Sequence, residues 1–289
     1  MSEGMPFCVF VLSHGRPDNV KTLKALKRSG YTGKTYIVID DEDNAGDAYR
    51  AKHGVAVLAF SKAAYRGRFD MMDNEPSNRG VVFARNAVYD LAESVGVRRF
   101  LVLDDDYVGF YFRHDVKMRF ATTSNSARIG DLDAVNALML SMLDIPSVKV
   151  VAMSQTGDFI GGANCTHSKR LRLWRKVMNA FYCDTEKRCF FHGRINEDTN
   201  LYVGDEARCG AVMLTIPQIT LMQTPTQKAG GGMTGLYLGS GTYRKSFYSV
   251  MTSPGSVSVH DMGSIDRRLH HLVRWKNTCP VIVGERYKR

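Results

Sequence analysis

Three successive aspartates, Asp104, Asp105 and Asp106, follow directly on the apolar run Phe100-Leu101-Val102-Leu103. Acids at that spacing put at least two carboxylates at the lip of a strand, where a hard divalent cation can be held with water and phosphate oxygens. Such a cation would neutralise a diphosphate leaving group, the task a general acid performs elsewhere. An acidic surface turn would have the same composition; the apolar run leading into the cluster favours a ligand site, because ligands gather at strand ends. A second acidic pair, Glu197-Asp198, follows Asn196 and the stretch Phe190-Phe191-His192-Gly193. Two carboxylates with different neighbours can divide roles, one accepting a proton from an attacking hydroxyl while the other orients it. The pair suits an ordinary helix start equally well, since acids are favoured there.

The cysteines, Cys8, Cys165, Cys183, Cys189, Cys209 and Cys279, contain no CxxC pair. Neither a zinc ribbon nor a dense disulfide framework is indicated, and reduced, mostly buried thiols are expected. Cys183, Cys189 and His192 are close in sequence, but their spacing is irregular for a metal knuckle. No convincing Ser-His-Asp or Cys-His set can be assigned from the sequence.

The elements that must position these acids read as an α/β arrangement. Phe7 to Leu12 is a continuous β-prone run that ends in Ser13-His14-Gly15-Arg16-Pro17, the pattern of a buried parallel strand followed by a functional turn. A helix is expected next, capped by Asp18 or Asn19, with Val20, Leu23 and Leu26 on one face. Tyr36 to Ile39 gives a second strand ending in acids Asp40 to Asp43, Val81 to Ala92 a helix, and Phe100 to Leu103 a third strand. Strands that each end in polar residues make a Rossmann-like half whose ligand lies at their carboxyl ends. After Tyr111 a helix is expected from Asp131 to Leu143 and a strand from Val148 to Met153, followed by shorter strands and turns. Gly230-Gly231-Gly232, with Gly235, Gly239 and Gly241, reads as a mobile loop. No repeat or low-complexity linker divides the 289 residues. A single domain is expected, with a donor-binding half over 1–110 and an acceptor half with C-terminal elements over 111–289.

The formal net charge of +10 favours an anionic partner, nucleic acid above all, although a nucleotide-binding enzyme also needs positive charge. Arg170, Arg172, Arg175 and Lys176 form one basic cluster, and Arg267, Arg268 and Arg274 another. Each could contact phosphates or line a solvated helix face. The longest apolar stretches are far shorter than the ~20 residues a membrane helix needs, and no signal-peptide pattern opens the chain, so a cytoplasmic protein with no membrane partner is expected.

Taken in order, Val81-Val82-Phe83-Ala84-Arg85-Asn86-Ala87, Phe100 to Asp106, and Glu197-Asp198 resemble the motifs of GT-A family 2-like glycosyltransferases. His271-Leu272-Val273-Arg274-Trp275 looks like that family's Q-x-x-R-W element, with His where Gln is usual. More narrowly, the Ser13 to Pro17 turn, Gly161-Gly162, Ile195 to Asp198, the glycine-rich stretch and Val259-His260-Asp261-Met262-Gly263 are similar to the phage TET-associated glycosyltransferases. Those enzymes place sugars on 5-hydroxymethylcytosine in DNA, and the likeness spans most of the chain.

The resemblance implies a GT-A fold: a Rossmann-like nucleotide-sugar-binding half with a mixed sheet, joined to an acceptor half. It implies a nucleotide-sugar donor, UDP-linked by family likeness, and Mn²⁺ or Mg²⁺. Ser13, His14, Arg16, Asp40, Arg85 and Asp105 would line the donor, with Asp40 at the nucleobase. Asp104, beside the ribose, and Asp106 would serve the metal, with His260 as a late ligand. Asp198 would be the base with Glu197 beside it, and Arg172, Arg175, Arg274 and Trp275 would meet the acceptor DNA. Structural roles remain open for His260 and for Trp275 as a core aromatic. Rival readings are a protein or polysaccharide acceptor, a metal-dependent nucleotidyltransferase, and a non-catalytic DNA-binding module.

Overall fold

The computed structural model describes residues 6–53, 56–117, 119–159, 162–165, 180–204, 212–223, 234–262 and 268–278. The first half alternates strand and helix: β1 (Phe7–Leu12), α1 (Lys21–Arg28), β2 (Lys34–Asp40), α2 (Gly46–His53), β3 (Val57–Phe60), α3 (Val82–Ser94) and β4 (Arg99–Asp104). Then come β5 (Tyr107–Phe112), β6 (Ala127–Arg128), α4 (Leu132–Met142), β7 (Val148–Gln155), β8 (Phe181–Asp184), α5 (Glu197–Val203) and β9 (Val212–Gln223). The last described elements are α6 (Thr234–Thr252), β10 (Val257–Met262), β11 (Arg268–Val273) and α7 (Trp275–Thr278).

One sheet has the order β3-β2-β1-β4-β8-β7-β9-β5-β6, and β10 and β11 form a separate antiparallel ribbon. Its β3-β2-β1-β4 part is parallel throughout, whereas β8 runs antiparallel to both β4 and β7. β1 reads as an uninterrupted apolar run because both faces are covered. Cys8, Phe10 and Leu12 enter one core, with Val82, Phe83 and Ala87 of α3, while Val9 and Val11 enter the other with Leu132 and Met139 of α4. Alternation is lost when both faces of a strand are buried.

Several local expectations are corrected. Val20, not Asp18 or Asn19, occupies the start of α1, and no side chain caps it. Asp18 instead meets Lys52 Nζ at 2.7 Å. The later part of the chain is not confined to short strands, since β9 runs for 12 residues. Pro217 lies where β9 shifts register against β7, between the pairs Met153–Ile216 and Ser154–Thr220. Proline has no amide proton for the ladder, and a bulge re-aims the strand beyond it. Ser154 Oγ fills the gap, donating to Ile219 O at 2.8 Å. Gly235, Gly239 and Gly241 belong to α6 and not to a loop; its packing against β10, β11 and α5 outweighs the low helix propensity of glycine. Gly230 to Gly232 lie outside the described residues. No described helix is long and apolar enough to cross a membrane.

Candidate active site

β1 and β4 are parallel neighbours, with Leu12 opposite Asp104. The turn after β1 and the acids after β4 therefore leave the sheet at one edge. Ser13 Oγ donates to Asp105 Oδ2 at 2.6 Å, and Arg16 Nη2 donates to Asp105 Oδ1 at 2.7 Å. Asp105, 1% exposed, thus braces the turn with both oxygens engaged, although burial still holds its carboxyl above the ordinary aspartate value. Gly15 adopts φ 67°, a left-handed conformation that costs glycine little, and its N–H donates to Asp43 Oδ2 at 2.9 Å.

Asp40, at the end of β2, meets His14 Nδ1 at 2.8 Å and Lys62 Nζ at 2.8 Å. Burial pushes its carboxyl upward, but the bonds from His14 and Lys62 outweigh that and hold it below the ordinary aspartate value. The same hydrogen bond raises His14, working against its partial burial. Lys62 and Tyr49, whose hydroxyl accepts from Arg16 N at 2.8 Å, complete a charged turn that sequence reading assigned only in part. Neither could be singled out, because nothing in the sequence shows that a lysine after β3 or a tyrosine in α2 faces β1.

The two acidic motifs meet around Arg85. This α3 residue is 1% exposed; its Nη2 donates to Asp104 Oδ1 at 2.6 Å and its Nε lies 3.6 Å from Glu197 Oε1. Phe181 packs against the guanidinium at 5.2 Å. Buried beneath the acids, Arg85 is placed to hold carboxylates in position. The next residue, Asn86, accepts from Phe191 N at 3.0 Å and donates to Phe191 O at 2.9 Å, fastening the strap that leads into α5.

Glu197 and Asp198 do begin a helix, as the plainer reading of their sequence allowed, but they are 6% and 8% exposed and not solvated. Asn196 precedes them at φ 58° and donates from Nδ2 to Lys245 O of α6 at 2.7 Å. A left-handed asparagine turns the chain there at a tolerable cost. Burial, with Asp198 and Asp104 adding to it and Arg85 opposing, pushes Glu197 up to about 7. Asp104 is also raised, by burial against the pull of Arg85. Asp106 is pushed up to about 6 by burial and then by Asp104, although Gln223 Nε2 donates to its oxygens at 3.1 and 3.0 Å. Gln223 ends β9, so the bulge at Pro217 helps bring it there.

These acids outweigh the positive charge of Arg85 and Arg16 beside them. A set of oxygen donors that is desolvated and under-neutralised fits a hard divalent cation, with phosphate and water supplying the remaining ligands. Among the described residues, no three His, Cys, Asp or Glu side chains converge on a point that could hold a metal by themselves. His260 is exposed on the ribbon, paired in register with His270. Cys183 and Cys189 are buried thiols, and burial pushes that of Cys183 up to about 12, unlike a metal-binding thiolate.

Of the expected acceptor residues, Arg274 and Trp275 are among the described ones. Trp275 makes an edge contact with Tyr202 at 5.1 Å and packs against the core, the alternative its sequence left open. Arg274 is exposed, its backbone N–H donating to Ser256 O at 2.7 Å. Arg172 and Arg175, like Arg170, Lys176 and Arg267, lie outside the described residues. His271 approaches the acid pair, with Nδ1 3.5 Å from Asn196 Nδ2.

A parallel βαβ half whose strand ends gather a charged turn and two acidic motifs makes this an α/β protein with its candidate site at the carboxyl ends of the strands. Residues 7–232 match the model of the TET-associated glycosyltransferases, and the chain belongs to that family. It is a glycosyltransferase. No curated protein matches its sequence. Among solved structures, glucosyl-3-phosphoglycerate synthase from Mycobacterium tuberculosis, in complex with Mn²⁺, UDP and phosphoglyceric acid, is similar at 10% identity and a TM-score of 0.48, over 93% of this chain and 87% of that one. The same synthase with Mg²⁺ and UDP gives 11% identity and a TM-score of 0.47, over 93% and 88% of the two chains. S. aureus TarS gives 11% identity and a TM-score of 0.42, over 78% of this chain and 37% of that one.

Proposed function

We propose that the chain is an inverting, metal-dependent glycosyltransferase of the GT-A type. Its donor is a UDP-linked sugar, and its acceptor is the hydroxymethyl group of 5-hydroxymethylcytosine in DNA. The observation that carries this reading is the meeting of the two acidic motifs around Arg85. Asp40, His14, Arg16 and the Ser13 turn, braced by Asp105, bind and orient the nucleotide. Asp104 and Asp106 would hold Mn²⁺ or Mg²⁺ together with phosphate and water, and His260, which does not converge with them in this structure, would be a late ligand. When bound, that ion supplies positive charge to the departing diphosphate. Asp198 takes the proton from the attacking hydroxyl, Glu197 orients it, and Arg85 keeps Asp104 and Glu197 in place. The new bond forms on the face opposite the departing nucleotide, which inverts the anomeric carbon and needs no covalent enzyme intermediate.

A base within duplex DNA has to leave the stack to reach a buried acid pair, and flipping achieves this. Arg172, Arg175 and Arg274 would hold the backbone and Trp275 would support the acceptor side. The net charge of +10 and the family support a DNA acceptor. The reading places the enzyme in a cytoplasm, that of the host if a phage encodes it.

The test is incubation of the chain with Mn²⁺ or Mg²⁺, a panel of nucleotide sugars, and paired DNAs that carry 5-hydroxymethylcytosine or cytosine, followed by nucleoside mass analysis. Sugar should appear on the hydroxymethylated DNA alone, with release of a nucleoside diphosphate. Equal labelling of both DNAs would remove the acceptor assignment, and release of pyrophosphate would identify a nucleotidyltransferase.

A further inference from the structure

The loop over 73–79 has no part in the chemistry proposed above, yet it is bound from two sides. Arg194, 1% exposed, donates from Nε to Asp73 Oδ2 at 2.8 Å and from Nη2 to Asp73 Oδ1 at 3.0 Å. Its Nη2 also reaches Glu75 O at 2.9 Å, and its Nη1 reaches Ser77 O and Arg79 O, each at 2.6 Å. From α6, Arg244 Nη1 donates to Glu75 Oε2 at 2.8 Å, and the Tyr248 hydroxyl donates to Asp73. Further along the loop, Asn78 Nδ2 donates to Glu42 Oε1 at 2.7 Å. Glu42 lies 3.5 Å from Lys62 Nζ, the group that holds Asp40.

Arg194 sits just before the acid pair, at a corner made by Gly193. Gly193 has φ 83°, and a Cβ there would fall 2.2 Å from Asn200 Nδ2, so the corner requires glycine. The Gly193 N–H donates to Asp70 O at 2.7 Å and the Arg194 N–H to Met71 O at 3.0 Å, which lays the strap into α5 along the loop. A buried ion pair roughly breaks even in stability against apolar packing of the same volume. Its distinctive contribution is geometric, since a bidentate guanidinium fixes both distance and orientation.

We propose that Arg194 is a positioning residue. By clamping residues 73–79, it holds the Asp40–Lys62 pocket and the Glu197–Asp198 pair in one fixed relation, so that a donor bound at the first faces the base at the second. This rests on the reading of the acid pair as the acceptor-activating site.

The test uses the full chain with Arg194→Lys, Asp73→Asn and Asn78→Ala, and Asp198→Asn and Glu197→Gln as references. Thermal unfolding, UDP affinity, sugar transfer to hydroxymethylated DNA and donor hydrolysis by water are measured together. Asp73→Asn keeps the side-chain shape, and Asn78→Ala removes one exposed bond, so these two carry the test if Arg194→Lys does not fold. Folded Arg194→Lys and Asp73→Asn should lose about 10- to 10²-fold in transfer, the scale of a small misplacement of reacting groups. The ratio of transfer to hydrolysis should fall in all three, because the donor is still held while the base is displaced. Folded variants that keep both the wild-type transfer rate and the wild-type ratio would reduce the clamp to a stabilising contact. If Asp198→Asn and Glu197→Gln both transfer normally, the acid-pair reading falls and takes the proposal with it. If either is inactive while the clamp variants are normal, only the proposal falls.

Discussion

Asp73 and Glu197 are both acids with little solvent contact, and the fold treats them in opposite ways. Asp73 is met by Arg194, Arg244 and Tyr248, and although burial alone would raise it, these partners hold its carboxyl below the ordinary value. Asp184 is handled likewise, with Arg98 and Arg99 overcoming its burial. Glu197, Asp104 and Asp106 are raised, because burial and mutual repulsion exceed what Arg85, Arg16 and Gln223 supply. A carboxylate surrounded by cations is committed to ionisation and serves as a strut. Carboxylates crowded together with too little positive charge retain an unmet demand for it, which a proton, a metal ion or a substrate can satisfy.

The largest effect expected from this contrast is on turnover. Asp198→Asn preserves shape but cannot accept a proton, so kcat should drop by roughly 10²- to 10⁴-fold with little change in donor affinity. Asp40→Asn should chiefly weaken the donor, since it breaks the contacts to His14 and Lys62. Steady-state kinetics on hydroxymethylated DNA with a varied nucleotide sugar separate these outcomes. Normal turnover by Asp198→Asn together with a dead Glu197→Gln would reverse the two roles; activity in both would leave α5 with only a helix start.

An effect of similar size is expected at the lip of the sheet. Asp106→Ala should be folded and nearly inactive, and chelation of the wild type should abolish transfer until Mn²⁺ or Mg²⁺ is restored. Titration of the apo chain with Mn²⁺, followed by its paramagnetic signal, should show weaker binding in Asp106→Ala. Full activity of that variant in chelator would mean that the raised carboxyl of Asp106 serves some purpose other than a metal.

Much of this contrast was legible in the sequence, and the rest was not, for physical reasons. β1, β2 and β4 were readable because strands buried on both faces carry uninterrupted apolar runs, and the polar residues that end them marked the working edge. The acids at Asp104 to Asp106 and at Glu197-Asp198 were readable as chemistry. That Asp104 and Glu197 share Arg85 was not, because it depends on how α3 lies across the sheet. The clamp was also hidden: Arg194, Asp73 and Arg244 are ordinary surface residue types, and only burial distinguishes them. α6 was misread because glycine spacing speaks for local propensity, while packing against β10, β11 and α5 determined the outcome.

The smallest effect, and the one that bears most directly on the contrast, is the pH dependence of stability. Folded Glu197 holds its proton up to about 7, against an ordinary value of 4.5. Between those values the native state binds more protons than the unfolded chain, so the contribution of Glu197 is fully present below 4.5 and is lost as pH rises toward 7. Asp73 has the opposite sign: depressed below its ordinary 3.8, it contributes above that value and loses the contribution as pH falls through its folded value. Glu197→Gln cannot ionise and should escape the loss, gaining on the wild type by on the order of 1 kcal/mol between pH 5 and pH 8. Asp73→Asn should show a deficit that is constant over that range and shrinks only in stronger acid. Urea unfolding of the wild type and both variants at pH 3, 5, 6.5 and 8 measures these differences. A Glu197→Gln difference that does not change between pH 5 and pH 8 would mean that Glu197 is as well neutralised as Asp73, and the distinction between poised and committed acids would not hold for this chain.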